Sequence, residues 1–410
     1  MTLVAGPQPA NLSSVQAQYG IRTRSPRAAK PERRPLMVRR PTIVVDPFLV
    51  LAALAASVVG IVMVYTATRE ELILAGTSPT HYLKRQALFV VLGVLVMGVL
   101  GFLDYRKLES FGMAIYGLTV VALLAVMVPH VGSHALGSTR WFSFGPLQIQ
   151  PSEFAVLGLV IAVATYCSRR REGLTWLDVV KVLAMGAVPI ALVLVQPDLG
   201  TAIIMSVVLL VMLAVAGLPT RVLIIVLVGA AAVATIAIEA GLIHHYQITR
   251  ITSFLAQTTP HPSAALKAAV YNVQEAKDAI GAGGLLGTGL LHGLQTNLAY
   301  VPEQQTDFIF TAVGEQLGFV GAVGVLAVLG FIAWRILRAA QLAWDGFGRL
   351  LCAGVFTFVA FSTFENAGMT MGIMPVTGIP LPFISYGGTA VIAFYAGVGL
   401  ALSVYARRAG

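Results

Sequence analysis

Ten stretches long and apolar enough to cross a bilayer recur along this chain, near residues 48–67, 87–103, 111–129, 153–167, 179–196, 199–217, 221–242, 308–334, 350–374 and 382–405. About 20 residues of helix span the hydrocarbon core, so each window fits one crossing. Only 11% of the 410 residues are charged and 57% are hydrophobic, whereas a soluble domain carries about 25% charge. That balance excludes a soluble enzyme, a disulfide scaffold and a mostly disordered chain. The expected fold is an all-α polytopic membrane protein: ten transmembrane helices, residues 47–410, with a large extracytoplasmic loop (243–306) between helices 7 and 8.

Charge placement predicts the orientation. Residues 1–46 lack any apolar run and carry Arg22, Arg24, Arg27, Lys30, Arg33, Arg34, Arg39 and Arg40, the pattern of a disordered basic cytoplasmic arm. With the arm inside, Arg106, Lys107, Arg169, Arg170, Arg171, Arg221, Arg335, Arg338, Arg349, Arg407 and Arg408 also fall inside, and Lys181 sits at a cytoplasmic helix start. The opposite face keeps only Arg69, Lys84, Arg85, Arg140, Arg250, Lys267 and Lys277. This bias follows the positive-inside rule and puts both termini in the cytoplasm. A net charge of +9 would suggest nucleic acid in a soluble protein; spread this way it does not, and no nucleic-acid partner is expected. Cys167 and Cys352 both fall at cytoplasmic helix ends, where thiols stay reduced. The seven histidines all fall outside, without a ligand spacing such as HExxH.

The loop at 243–306 is long for a segment without function. Within it, Ser263 to Ile280 has helical composition and could lie along the membrane surface. A glycine-rich stretch, GAGGLLGTGLLHG from Gly281 to Gly293, follows. It fits neither the Walker pattern nor GxGxxG, and reads better as turns or close backbone packing. Acids in or beside spans mark function by default: Glu153, Asp198, Glu239, Asp307, Glu315 and Glu365. Asp307 opens span 8 at the outer boundary, where it can meet water and a headgroup; a carboxylate that merely favours a helix N-terminus is the plainer alternative. Glu315 lies roughly 12 Å deeper and about 80° round the helix, on a similar side. Asp198 in QPDLG reads as a cap for span 6.

Several strings carry a resemblance: PEQQTDFIFTAVGEQLGFVG (Pro302 to Gly321), PVTGIPLPFISYGG (Pro375 to Gly388), RWFSFGPLQIQPSE (Arg140 to Glu153), YLKRQ (Tyr82 to Gln86) and QPDLGTA (Gln196 to Ala202). Together, in the family's order along residues 47–405, they resemble the SEDS family of peptidoglycan polymerases, its elongation member RodA somewhat more than its division member FtsW. The resemblance implies a glycosyltransferase in the plasma membrane of a bacterium. It would polymerise lipid II into β-1,4 glycan strands with release of undecaprenyl pyrophosphate, beside a class B penicillin-binding protein that crosslinks them. It also implies a divalent cation, Mg²⁺ or Mn²⁺, and places the family's essential aspartate on Asp307. In many relatives a lysine stands one turn after the QPSE glutamate; here that position is Val156, which leaves Glu153 to find another partner.

The chemistry needs one base and one sink for charge. An α-linked pyrophosphate donor and a β-linked product call for a single inverting displacement, with a carboxylate taking the acceptor's 4-hydroxyl proton. Asp307 is the candidate general base. Arg140 is the first candidate for the pyrophosphate, because an Arg fork suits phosphate oxygens; Lys84, Arg85 and Arg250 follow, headgroup snorkelling being the alternative for the first two. Trp141 is placed to stack on a sugar or to anchor at the interface. Glu153, Glu315 and Ser385 complete the expected substrate-binding set, and no metal ligands are assigned. Two other functions remain open at this level, a lipid II flippase and a catalytically silent scaffold for the penicillin-binding partner.

Overall fold

The computed structural model describes residues 45–129, 132–135, 138–144, 147–170, 173–239, 248, 250, 252, 254–255 and 264–408. The expected arm therefore lies outside the described residues, apart from its last two positions. Twelve α-helices and three short strands are described: α1 (Pro47–Leu74), α2 (His81–Phe102), α3 (Tyr105–Ala125), β1 (Ser133–Ala135), β2 (Ser138–Phe144), β3 (Leu147–Ile149), α4 (Pro151–Ser168), α5 (Trp176–Val195), α6 (Leu199–Val215), α7 (Thr220–Glu239), α8 (Ala264–Ala282), α9 (Leu294–Asn297), α10 (Ile309–Leu342), α11 (Gly346–Thr370) and α12 (Gly388–Ala406).

Each apolar window coincides with one helix. Eight are long and apolar enough to cross a membrane; the sixth and seventh windows hold shorter apolar helices, Leu199–Val215 and Thr220–Val233. Helix starts are set by side chains that satisfy otherwise orphaned amides. Asp46 accepts from Leu49 N (3.3 Å) ahead of Pro47, Asp345 accepts from Gly348 N (2.6 Å), and Thr175 with Asp178 forms a capping box on α5. Helices apolar on every side belong in the interior. Accordingly α4 and α12 are buried over most of their length, and α3 over little of it. α12 packs along α2, α10 against α11, and α3 against α4. On the side expected to face the cytoplasm, Arg335 of α10 sends Nε (2.8 Å) and Nη2 (2.6 Å) to the Asp46 carboxylate, tying α10 to the start of α1.

Two features depart from the expected pattern. The segment before α4 is not helical: β1, β2 and β3 form an antiparallel sheet in that order, with Phe142 opposite Ile149 and Phe144 opposite Leu147. Alternation of apolar and polar residues in RWFSF is a strand signal, and Thr389 at the start of α12 holds the hairpin by its hydroxyl, donating to Gln148 O and accepting from Gln150 N, both at 3.0 Å. Secondly, α8 does not simply lie on a surface, because its Ala276 and Ala279 pack with Val301 and Phe308 in a small buried cluster.

The 34-residue α10 is interrupted at Gly318 (φ 67°, ψ −168°). Its missing hydrogen bonds are made by the glycine-rich stretch. Glu315 O accepts from Thr288 N (2.9 Å) and Gln316 O from Gly289 N (3.1 Å); Phe319 N and Val320 N donate to Gly284 O (2.9 Å) and Leu285 O (3.1 Å). A Cβ on Gly287 would stand 2.2 Å from Gln316 O, and one on Gly318 would stand 2.2 Å from Gly287 N. The glycines are therefore there for close approach of two backbones. Gly287→Ala is expected to destabilise the protein by at least about 1–3 kcal/mol through its φ of 83° alone, read as a lowered midpoint of thermal unfolding in detergent. Gly117→Ala, where a Cβ meets nothing within 4 Å, serves as the control. An unchanged midpoint for Gly287→Ala would mean that the interrupted helix does not need this contact.

Candidate active site

Asp307 stands in a tight turn just before α10. The carbonyl of Glu303 (φ 53°) accepts from three successive amides, Thr306 N (3.2 Å), Asp307 N (3.1 Å) and Phe308 N (3.4 Å). The buried Gln304 fastens the turn by donating Nε2 to Thr296 Oγ1 (3.1 Å) and Thr311 Oγ1 (2.9 Å). From α11, Asn366 Nδ2 donates to Asp307 O and to Ile379 O, both at 2.8 Å. One amide thus joins the turn carrying Asp307 to the Pro375–Gly388 motif. Tyr386 N adds a second link, to Gln305 O (2.8 Å).

The Asp307 carboxylate faces Arg250. A Cβ on Gly378 (φ 78°) would lie 3.1 Å from Asp307 Oδ2 and 3.2 Å from Arg250 Nη1, so the missing side chain leaves room for both groups. Arg250 Nη1 donates to Thr377 O (2.7 Å). Burial pushes the Asp307 carboxyl up to about 6; Arg250 and Arg140 pull it down, while Glu303 and Asp198 push it up. Because burial outweighs the cations, the group sits close to neutrality, where a base is both ionised and strong enough to take a proton.

Arg140, on β2, donates Nε to Gln196 O (2.6 Å) and Nη2 to Pro197 O (2.5 Å). A guanidinium has five N–H donors, so three are not used by these two bonds. Asp198 caps α6: its carboxylate accepts from Thr201 N (3.2 Å), Thr201 Oγ1 (3.0 Å), Ser152 Oγ (3.0 Å) and Gln150 Nε2 (2.9 Å). Trp141 is half-buried beside Arg140. Lys84 is exposed and Arg85 half-buried in the first turn of α2, and neither makes an ion pair among the described residues. That turn adjoins the site through Tyr82, whose ring meets the Tyr386 ring edge-on at 4.9 Å.

Three residues expected to touch substrate are placed otherwise. Glu315 is fully buried, and its carboxylate accepts from Gln295 N (2.8 Å), Thr296 N (3.0 Å) and Thr296 Oγ1 (2.6 Å). It caps α9 instead of facing the side of Asp307, because the interruption after it brings the loop against the helix. Ser385 is 1% exposed; its Oγ accepts from Leu381 N (2.8 Å) and its carbonyl accepts from Gln86 Nε2 (3.1 Å), so it holds its own turn. Glu153 is 7% exposed in the first turn of α4, with no hydrogen bond or ion pair among the described residues; Val156, where a basic partner would stand, is buried. The site also uses residues that sequence reasoning passed over: Asn366, Gln304, Thr377 and Gly378. The adjacent Glu365 and Asn366, an acid and an amide within one largely apolar window, are the available signal for the first.

Among the described residues no group of three or more His, Cys, Asp or Glu could hold a metal ion. Mg²⁺ is often held by only one or two carboxylates together with substrate phosphates, and Asp307 with its exposed neighbour Glu303 fits that lighter arrangement.

Comparison with known proteins decides the family. The family model described as "Cell cycle protein", covering FtsW, RodA and SpoVE, matches residues 47–409. The chain belongs to the FtsW/RodA/SpoVE family. Among similar relatives of this family, the peptidoglycan glycosyltransferase MrdB of Escherichia coli K12 is 32% identical over 363 residues, 88% of this chain and 94% of the relative. Two solved structures share its architecture. One, from work on the structural coordination of polymerization and crosslinking by a peptidoglycan synthase complex, has a TM-score of 0.73 at 31% identity, covering 89% of this chain and 99% of that one. The other, the rod shape determining protein RodA of Thermus thermophilus, has a TM-score of 0.66 at 30% identity, covering 90% and 99%. Like the rest of the FtsW/RodA/SpoVE family, this chain is a multi-pass bacterial membrane protein. At the centre of the site, Gly378→Ala is expected to lower activity at least about tenfold by pushing Asp307 and Arg250 apart; its φ of 78° also strains an alanine by about 1–3 kcal/mol, so the rate is compared with that of Gly287→Ala at a temperature where both variants are folded. Full activity in Gly378→Ala would show that the Asp307–Arg250 approach is not needed.

Proposed function

We propose that this chain is a membrane-embedded peptidoglycan glycosyltransferase that polymerises lipid II in cell-wall elongation, with Asp307 as the general base. The observation that carries the reading is the half-buried Asp307 carboxylate, lifted to about 6 by its surroundings and set beside Arg250 across Gly378.

In the reaction, the 4-hydroxyl oxygen of the acceptor sugar attacks the anomeric carbon of the donor from the face opposite its α-linked pyrophosphate. The new C–O bond is β, the bond to the pyrophosphate breaks with its electron pair, and the proton passes to an Asp307 oxygen. Arg250 and the uncommitted donors of Arg140 stabilise the departing undecaprenyl pyrophosphate, since charge develops on those oxygens as the bond opens. Lys84 and Arg85 hold the outer phosphates or headgroups at the mouth of α2. A divalent cation, when bound, would neutralise part of the pyrophosphate charge; Asp307 and Glu303 are the carboxylates that would share it. The synthase complex similar to this chain joins polymerisation to crosslinking, which supports a class B penicillin-binding protein as partner. The clustering of the charged groups at one end of the spans, and not at the midplane where transporters bind substrate, favours catalysis over flipping.

Two outcomes test the reading. Asp307→Asn, purified in detergent and given lipid II with Mg²⁺ or Mn²⁺, is expected to lose polymer formation by about 10²–10⁴-fold; a normal rate would remove Asp307 as the base, and headgroup crossing in vesicles without polymer would favour transport. For the wild type, burial disfavours the anion, so the carboxyl keeps its proton until about pH 6. The rate should therefore rise as pH increases through about 6 and fall about tenfold per unit below it. A limb near the ordinary carboxylate value of about 4 would contradict the assignment.

A further inference from the structure

Behind the Asp307–Arg250 pair lies a buried carboxyl that the mechanism above does not use. Glu365 of α11 is 1% exposed. Its Oε1 accepts from Thr377 Oγ1 (2.9 Å), while Oε2 is buried without a hydrogen bond. A carboxyl at this depth is costly, and capping α11 does not account for it, since Glu365 is 19 residues past the start of that helix. What it does contact is the residue whose carbonyl seats Arg250 (2.7 Å). The next residue in α11, Asn366, donates to the backbone carbonyls of Asp307 and Ile379, joining the turn that carries Asp307 to residues 377–379. Gly378, between Thr377 and Ile379, is the point where Asp307 and Arg250 approach. Two consecutive side chains of α11 thus clamp residues 377–379, one by the Thr377 hydroxyl and one by the Ile379 carbonyl.

We propose that Glu365 is a positioning residue for glycosyl transfer: by accepting from Thr377 it fixes the turn whose carbonyl holds the Arg250 guanidinium against Asp307. The inference rests on the glycosyltransferase reading. It carries a signature that a purely structural role lacks. Arg250 is hydrogen-bonded to the Thr377 carbonyl (2.7 Å) and acts on charge that develops as the bond to the pyrophosphate opens. Loosening its seat should therefore lower kcat while the KM for lipid II stays within a few-fold.

The test is the steady-state kinetics of lipid II polymerisation, with Mg²⁺, by full-length protein carrying Glu365→Leu, Glu365→Gln, Thr377→Val or Thr377→Ser. Glu365→Leu and Thr377→Val are expected to lower kcat between about ten- and hundredfold, the scale of a small misplacement of a reacting group, with KM within a few-fold of the wild type. Glu365→Gln keeps an acceptor for Thr377, and Thr377→Ser keeps the hydroxyl; both should restore kcat to within a few-fold. Thr377→Val is nearly isosteric and gives the result even where Glu365→Leu does not fold. A wild-type kcat in Thr377→Val, or a Glu365→Gln as impaired as Glu365→Leu, would overturn the positioning role while wild-type polymerisation leaves the underlying reading intact. If the wild type makes no polymer, that reading fails first, and the inference with it.

Discussion

A backbone inside lipid must have its hydrogen bonds made by protein, since an unsatisfied amide or carbonyl there costs several kcal/mol. That constraint governs α10. The helix breaks at Gly318, and four backbone groups that would have bonded along it are met instead by residues 284, 285, 288 and 289. The repair has consequences one turn away. It holds the glycine-rich loop against the helix, brings α9 over the Glu315 carboxylate, and lets Gln304 reach both Thr296 and Thr311. The turn that carries Asp307 is built on that base.

The electrostatics of the site follow from where this turn is placed. Asp307 lies outside the spanning helix yet partly out of water, so burial raises its carboxyl while Arg250 and Arg140 restrain the rise. Fully buried it would stay protonated at neutral pH, and fully exposed it would be a weak base. Arg140 and Arg250 are themselves held by backbone carbonyls, of Gln196 and Pro197 in one case and Thr377 in the other. Neutral acceptors orient the guanidinium groups, and the Asp307 carboxylate beside Arg250 is the acid that this cation holds down.

Much of the fold was legible in the sequence, because each crossing is announced by its own run of apolar residues. Asp198 as a cap, the helix in 264–282 and the close-packing use of the glycines were readable for the same reason: each is a local requirement with a local residue pattern. The hairpin before α4 was hidden by its short strands. Spacing along a helix says which face Glu315 is on, but not that a loop returns to cover that face; Ser385 turns its hydroxyl onto its own turn, at Leu381 N, which the motif string does not announce. Glu365 and Asn366 stand out as polar residues within an apolar window, but which groups they meet, Thr377 for the first and the carbonyls of Asp307 and Ile379 for the second, is decided by the fold and leaves no sign in one sequence.

The most direct measurement is a cryo-EM map of the Asp307→Asn protein with lipid II bound, since this variant should hold both sugars without joining them. The acceptor's 4-hydroxyl is expected within hydrogen-bonding reach of the residue 307 side chain, with the donor's pyrophosphate against Arg250 and Arg140. Two glycolipids seated in a groove remote from residue 307, or a pyrophosphate that meets neither arginine, would contradict the assignment of Asp307 as the base.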